Sequence, residues 1–127
     1  MSTEIGNGGV FHIEALFYVH IKSTGVTFDM NSAGTDATST EGNGGVFSVI
    51  EGLTFPVDAT FDSVTFSNNQ AKMGSGGVLY IPKTSTTSVV TVVKTILFSN
   101  QANIDGGALF IGGTGDKLLK IEDCDNI

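Results

Sequence analysis

GGVFHI (8–13), GGVFSV (44–49), GGVLYI (76–81) and GGALFI (106–111) are four copies of the phrase that decides how this chain folds. Their first glycines lie 36, 32 and 30 residues apart. A period in this range marks a repeat architecture, in which each unit buries its apolar face against the next. A second phrase precedes each later copy: GVTFDMNSA (25–33), SVTFSNNQA (63–71) and TILFSNQA (95–102). Aligned on Phe28, Phe66 and Phe98, each is an alternating apolar run that ends in Asn and Ala. A further copy begins at IEDCDN (121–126), with Cys124 in the place of Val64 and Ile96.

Each unit therefore carries at least two strands. Alternation dominates throughout, as in the β-branched run SVVTVVKTILF (88–98), and no capped stretch of helical period appears. Short strands repeating every 30–36 residues predict an all-β parallel solenoid of about four coils. Side chains alternate along a strand, so Phe11 and Ile13 share one face. Stacking aligns them with Phe47 and Val49, Leu79 and Ile81, and Leu109 and Ile111, a uniformly large apolar column that should point inward. Val10, Val46, Val78 and Ala108 should point outward, together with His12, Ser48, Tyr80 and Phe110. Val26 with Phe28, Val64 with Phe66, and Ile96 with Phe98 form a second expected inward column. Each fully buried side chain of this size contributes roughly 1.5–3 kcal/mol. The glycines suit corners that need positive φ or close backbone approach. Asn31, Asn69 and Asn100 suit a left-handed corner and can bond from coil to coil as a ladder. Unit length varies at 34–43 and around 51–60, which read as surface loops.

The paired phrases FxxN and GGA[ILV] resemble the repeats of chlamydial polymorphic outer membrane proteins and related β-helical surface proteins. The matching residues are Phe28–Asn31, Phe66–Asn69 and GGAL at 106–109, while the other three GG copies carry Val in place of Ala. The resemblance implies a right-handed parallel β-helix with a surface, adhesive or structural role.

Composition narrows the function. The chain of 127 residues reads as one β-helix domain, 1–127. Thirteen acids face six lysines and no arginine, for a net charge of −7, which argues against nucleic acid as a partner. No window approaches the ~18 apolar residues of a membrane span. The N-terminal MSTEIGNGGV lacks the pattern of a signal peptide. A single cysteine excludes an internal disulfide framework and a cysteine zinc site, and Cys124 reads as a buried thiol in a core position.

No residue pattern spells out a reaction, cofactor or metal site. Asp58 with Asp62, or Asp116 with Glu122 and Asp123, could form a two-carboxylate glycosidase site, but dispersed acids on an acidic surface read as solvation. GGTGDK (112–117) departs from the calcium-binding GGxGxD repeat at Lys117 and reads as a turn. Asp105, Asp123 and Asp125 form no specific calcium pattern. His12, Ser48, Tyr80 and Phe110 form the one candidate ligand or partner stripe, for sugar rings or a protein, unless a loop packs over it. The expected function is thus a non-enzymatic structural or adhesive β-helix at the cell surface or outside the cell. The alternatives are a carbohydrate-binding module and, less favoured, a polysaccharide-cleaving enzyme. Joining Ile127 to Met1 preserves the repeat phase, so the expected partners are adjacent coils of a longer chain or further copies stacked head to tail.

Overall fold

Each repeat supplies one six-residue strand and several shorter ones, separated by corners too tight for ordinary alternation. The computed structural model describes residues 2–3, 9–13, 18–34, 42–49, 56–82, 88–112 and 117–124. The first coil contains β1 (Ser2–Thr3), β2 (Phe11–Ile13), β3 (Val19–Thr24) and β4 (Thr27–Asp29). The second contains β5 (Ser32–Ala33), β6 (Phe47–Val49), β7 (Val57–Asp62) and β8 (Thr65–Ser67). The third contains β9 (Gln70–Ala71), β10 (Leu79–Ile81), β11 (Ser88–Val93) and β12 (Ile96–Phe98). β13 (Gln101–Ala102), β14 (Leu109–Ile111) and β15 (Lys117–Glu122) belong to the fourth.

Equivalent strands pair in parallel, giving sheets β1-β5-β9-β13, β2-β6-β10-β14, β3-β7-β11-β15 and β4-β8-β12. The chain is a parallel β-helix, as the repeat period predicts. The GG wall has the expected register: Phe11, Phe47, Leu79 and Leu109 stack in line. On the six-residue strands, β7 and β11 alternate buried and half-buried along their whole length. Val57, Ala59 and Phe61 face inward over Ser88, Val90 and Val92. Phe11 stacks on Phe47 at 5.0 Å and Phe28 on Phe66 at 5.3 Å, and Phe28 meets Phe47 edge-on. The core is thus two phenyl columns interlocked by T-shaped contacts, a geometry that aromatic quadrupoles favour.

Three left-handed corners recur. Gly44, Gly76 and Gly106 turn into the GG wall with φ between 61° and 69°. A Cβ on any of them would strike the carbonyl oxygen three residues ahead. The second glycine has another reason. A Cβ on Gly9, Gly45 or Gly77 would overlap the carbonyl oxygen of Gly45, Gly77 or Gly107 in the next coil. Gly25, Ser63, Lys94 and Asp123 turn the end of each six-residue strand, and Met30, Asn68 and Ser99 turn the third corner. The left-handed residue at that third corner therefore precedes each of Asn31, Asn69 and Asn100. The expectation that these asparagines themselves adopt positive φ is corrected.

Three other expectations change. Val46 and Val78 are completely buried, and Val10 and Ala108 pack against the core, so none of the four points outward. Their strand does not alternate at its start: the amides of Val46 and Phe47 both donate to the Val78 carbonyl, and those of Val78 and Leu79 both donate to Ala108. Two successive amides aimed the same way bend the chain, and both side chains enter the core. The second correction is one of register. Leu97, not Phe98, pairs with Phe66, and Phe98 pairs with Ser67. A slip of one residue exchanges the two faces of a strand, so Leu97 is buried while Ile96 and Phe98 are 40% and 52% exposed. Val26 keeps the expected position beneath buried Val64, its exposure being that of the end coil like that of Phe11, while Thr95, not Ile96, shares that position with Val64 and Cys124. Cys124 is only partly buried there. Lastly, residues 57–60 of the expected loop 51–60 lie in β7, while 51–55, like 35–41, lie outside the described residues.

Replacing Leu97 by Ala should lower stability by about 2–5 kcal/mol, whereas Phe98→Ala should change it by less than about 1 kcal/mol. Urea unfolding of the two variants checks the register. The opposite ranking would return Phe98 to the core.

Candidate functional site

The expected stripe is a true column: His12 pairs with Ser48, Ser48 with Tyr80 and Tyr80 with Phe110. Tyr80 and Phe110 stack with ring centroids 5.3 Å apart. Its middle is closed to solvent, since Ser48 is 0% and Tyr80 9% exposed. His12 is exposed and Phe110 half-buried. The stripe is therefore not the continuous exposed aromatic column that alternation suggests. Among the described residues the buried Ser48 hydroxyl has no hydrogen-bond partner, an arrangement that costs about 1–3 kcal/mol.

The described acids do not assemble. Asp58 and Asp62 sit four residues apart on β7, which separates them by about 13 Å along an extended strand. Paired glycosidase carboxylates stand about 5–9.5 Å apart. Glu122 pairs with Lys120 at 3.3 Å, and Asp123 occupies an exposed left-handed corner. The amide of Asp105 donates to Ser75 Oγ at 3.3 Å within the stacking of coils. Asp116, Asp125 and residues 113–116 of the GGTGDK turn lie outside the described residues. Among the described residues, no group of three or more His, Cys, Asp or Glu side chains could hold a metal ion.

Two polar constellations do form. The first is internal. Asn31 Nδ2 donates to Asn69 Oδ1 at 2.9 Å, and Asn69 Nδ2 donates to Asn100 Oδ1 at 2.9 Å. The same carbonyl oxygens accept the backbone amides of Asn31 and Asn69. Asn69 and Asn100 also donate to the carbonyls of Phe28 and Phe66. This is the asparagine ladder that the sequence predicts, and it satisfies corner amides that a sheet ladder cannot reach. Thr95 acts similarly at another corner, accepting the Val64 amide and facing the Phe61 and Val93 carbonyls. Cys124 repeats that contact with Val92 and Glu122.

The second constellation is external and was not legible as a site in the sequence. Tyr18, 54% exposed, donates its hydroxyl to Asp58 Oδ2 at 3.4 Å. His20 Nδ1 lies 3.6 Å from the same oxygen, and the two rings lie within 17° of parallel with centroids 6.4 Å apart. The phenol's pKa is raised above its ordinary value by partial desolvation, then by the charge of Asp58 and the hydrogen bond to it. Only the β3–β7 register, His20 against Asp58, brings these residues together. A separation of 38 positions in sequence gave no signal of it.

Residues 63–82 match the model of the Chlamydia polymorphic membrane protein repeat. The matched span runs from the corner at Ser63 through β8, Asn69 and β9 to the GG turn and β10, so it contains the Phe66–Asn69 phrase and the Val-bearing GG copy at 76–79. No curated protein and no solved structure matches the chain.

One exposed acid gives a pH prediction. Asp29 Oδ1 accepts from Ser67 Oγ at 2.7 Å and Asn68 Nδ2 at 2.9 Å. The Ser67 hydroxyl foremost, then the Asn68 amide, holds this carboxyl below its usual 3.8. A carboxyl whose pKa is lowered by folding stabilises the fold above its unfolded pKa, and that contribution disappears as pH falls through the folded value. Asp29→Asn should therefore be less stable than the parent at neutral pH, and the gap should shrink below about pH 4. Denaturant midpoints measured across pH check this. A gap independent of pH would assign the loss to packing alone.

Proposed function

We propose that this chain is a non-enzymatic β-helix segment of a surface-associated protein, structural or adhesive, extended at its open ends by further coils of the same kind. The repeat match supports a place among surface-associated membrane proteins. The observation that carries the extension is the state of the two end coils. At one end Leu97, Leu109, Leu119 and Ile121 line a hollow of ≈ 500 Å³. At the other, Phe11, Ile13, Ile21, Val26 and Phe28 line one of ≈ 540 Å³. Every one of these side chains, Val26 beneath Val64 included, lies on the core columns. Uncovered apolar area of this kind favours burial by about 25 cal/mol per Å². The matching occupant is another coil, because it alone offers both the apolar columns and a parallel strand edge. The wide separation of Asp58 and Asp62 supports the absence of hydrolytic chemistry.

Gly107 offers a test of stacking. A Cβ there meets only the Asn100 carbonyl oxygen at 3.6 Å, whereas at Gly45 and Gly77 it would meet the glycine of the next coil. The purified parent chain should associate end to end in sedimentation; Gly107→Ala should leave the unfolding midpoint within about 1 kcal/mol of the parent and abolish that association. Gly45→Ala should lose about 3 kcal/mol or more. Association that persists in folded Gly107→Ala would overturn stacking at that end.

Surface placement has its own test. Antibody against the purified chain should label intact, unpermeabilised source cells, and external protease should remove the label. Labelling only after permeabilisation would overturn the surface reading.

A further inference from the structure

We infer that Tyr18, His20 and Asp58 form a binding subsite for a neutral saccharide on the outer face of the β3-β7-β11-β15 sheet. The inference rests on the adhesive part of the proposed function and supplies the chemistry of what is bound.

The geometry begins with the strands. β3 and β7 pair in parallel with His20 opposite Asp58 and Lys22 opposite Thr60. Side chains two residues apart point the same way, so Lys22 lies beside His20 and Thr60 beside Asp58 on one outer face. Tyr18 stands just before β3, and its ring is nearly parallel to that of His20. The Tyr18 hydroxyl donates to Asp58 Oδ2 at 3.4 Å, and His20 Nδ1 lies 3.6 Å from the same oxygen. The hydrogen bond restricts the exposed Tyr18 ring, which would otherwise sample several rotamers, and so lowers the ordering cost of binding.

The chemistry fits a sugar ring. A pyranose presents a patch of C–H groups on one face and hydroxyls around its rim, each able to donate and accept. An exposed aromatic ring offers an apolar surface with a negative π face, suited to polarised C–H groups. Asp58 Oδ1 takes no hydrogen bond among the described residues, so this oxygen can accept from a hydroxyl. Lys22 and Thr60 add donors on the next row. A few convergent polar groups beside an aromatic surface are the usual composition of a small-ligand site.

Charge selects the class of sugar. The chain carries a net −7, and Asp58 and Asp62 both lie on this face. A sulfated or carboxylated glycan would meet that field unfavourably, whereas a neutral one would not. The subsite also differs from the stripe that alternation suggests. Ser48 and Tyr80 of that stripe are buried, whereas Tyr18 and His20 are exposed.

The test uses the purified full chain and isothermal titration against four probes: cellohexaose, mannohexaose, an N-acetyllactosamine oligomer and heparin. At least one neutral oligosaccharide should bind. Tyr18→Ala should weaken that binding by about tenfold or more, and Tyr18→Phe, which keeps the ring, by less than about threefold. Asp58→Asn should fall between them, and Phe98→Ala, an exposed aromatic on another face, should leave binding unchanged. Circular dichroism melting of each variant verifies that the coil is intact. Absence of binding to all three neutral probes, binding to heparin alone, or neutral binding insensitive to Tyr18→Ala would each overturn the subsite. Because the measurement needs neither display on a cell nor association between chains, its failure is separable from failure of the surface or stacking tests.

Discussion

The close approach of backbone to backbone at the second glycine of each GG pair governs the rest of this molecule. Gly9, Gly45 and Gly77 lie so near the carbonyl oxygens of Gly45, Gly77 and Gly107 that no Cβ fits. The amides of Gly9, Gly45 and Gly77 meanwhile donate to Gly44, Gly76 and Gly106 at 3.0–3.2 Å. Coils that touch this closely at one corner cannot slide along or past one another. Phe11 must then fall on Phe47, and Leu79 on Leu109. The phenyl columns follow from the corner, because stacked rings at about 5 Å repeat the spacing between hydrogen-bonded strands.

The other corners solve a related problem by different means. A non-glycine residue in the left-handed region is disfavoured by roughly 1–2 kcal/mol, yet Ser63, Lys94, Asp123, Met30, Asn68 and Ser99 all occupy it. At Gly25, which turns the same corner as Ser63, Lys94 and Asp123, a Cβ would meet nothing within 4 Å, so a side chain there costs only local strain. Bonds from neighbouring side chains offset that cost. Asn100 accepts the Asn69 amide, and Thr95 accepts the Val64 amide, one residue beyond a left-handed corner in each case. The asparagine ladder is thus the polar counterpart of the phenyl columns. It holds the register where glycine does not.

These differences explain what could be read from the residues. The GG wall was legible because the glycine requirement is local and nearly absolute, so identity at Gly44, Gly76 and Gly106 aligns everything after it. Alignment on Phe98, the more conspicuous apolar residue, misplaces the strand before Asn100 by one position. Its register follows from Asn100 meeting Asn69, which places Leu97 under Phe66. Alternation puts Val46 on the outer face, but it fails at a corner where the amides of Val46 and Phe47 share one acceptor. Burial of Ser48 and Tyr80 depends on what lies over that wall, and a periodic pattern holds no information about it. The contact of Tyr18 and His20 with Asp58 was hidden for another reason. None of the three belongs to a repeated phrase, and only the spacing between coils brings them together.

That last point bears on where recognition can reside in such a fold. Inward positions answer to their neighbours above and below: Phe47 between Phe11 and Leu79, Asn69 between Asn31 and Asn100. A change there propagates along the column. Outward positions are coupled more loosely, by single bonds such as Ser67 to Asp29, and they differ from coil to coil within this one chain. Thr27, Thr65 and Ile96 occupy one outward row, Asp29, Ser67 and Phe98 another, and His20, Asp58 and Val89 a third. Charge, hydroxyl and apolar surface alternate there without disturbing the register beneath. The repeated phrases that make the chain recognisable are therefore the ones least available to a ligand. Whatever this surface binds is selected by residues that the repeat leaves unspecified.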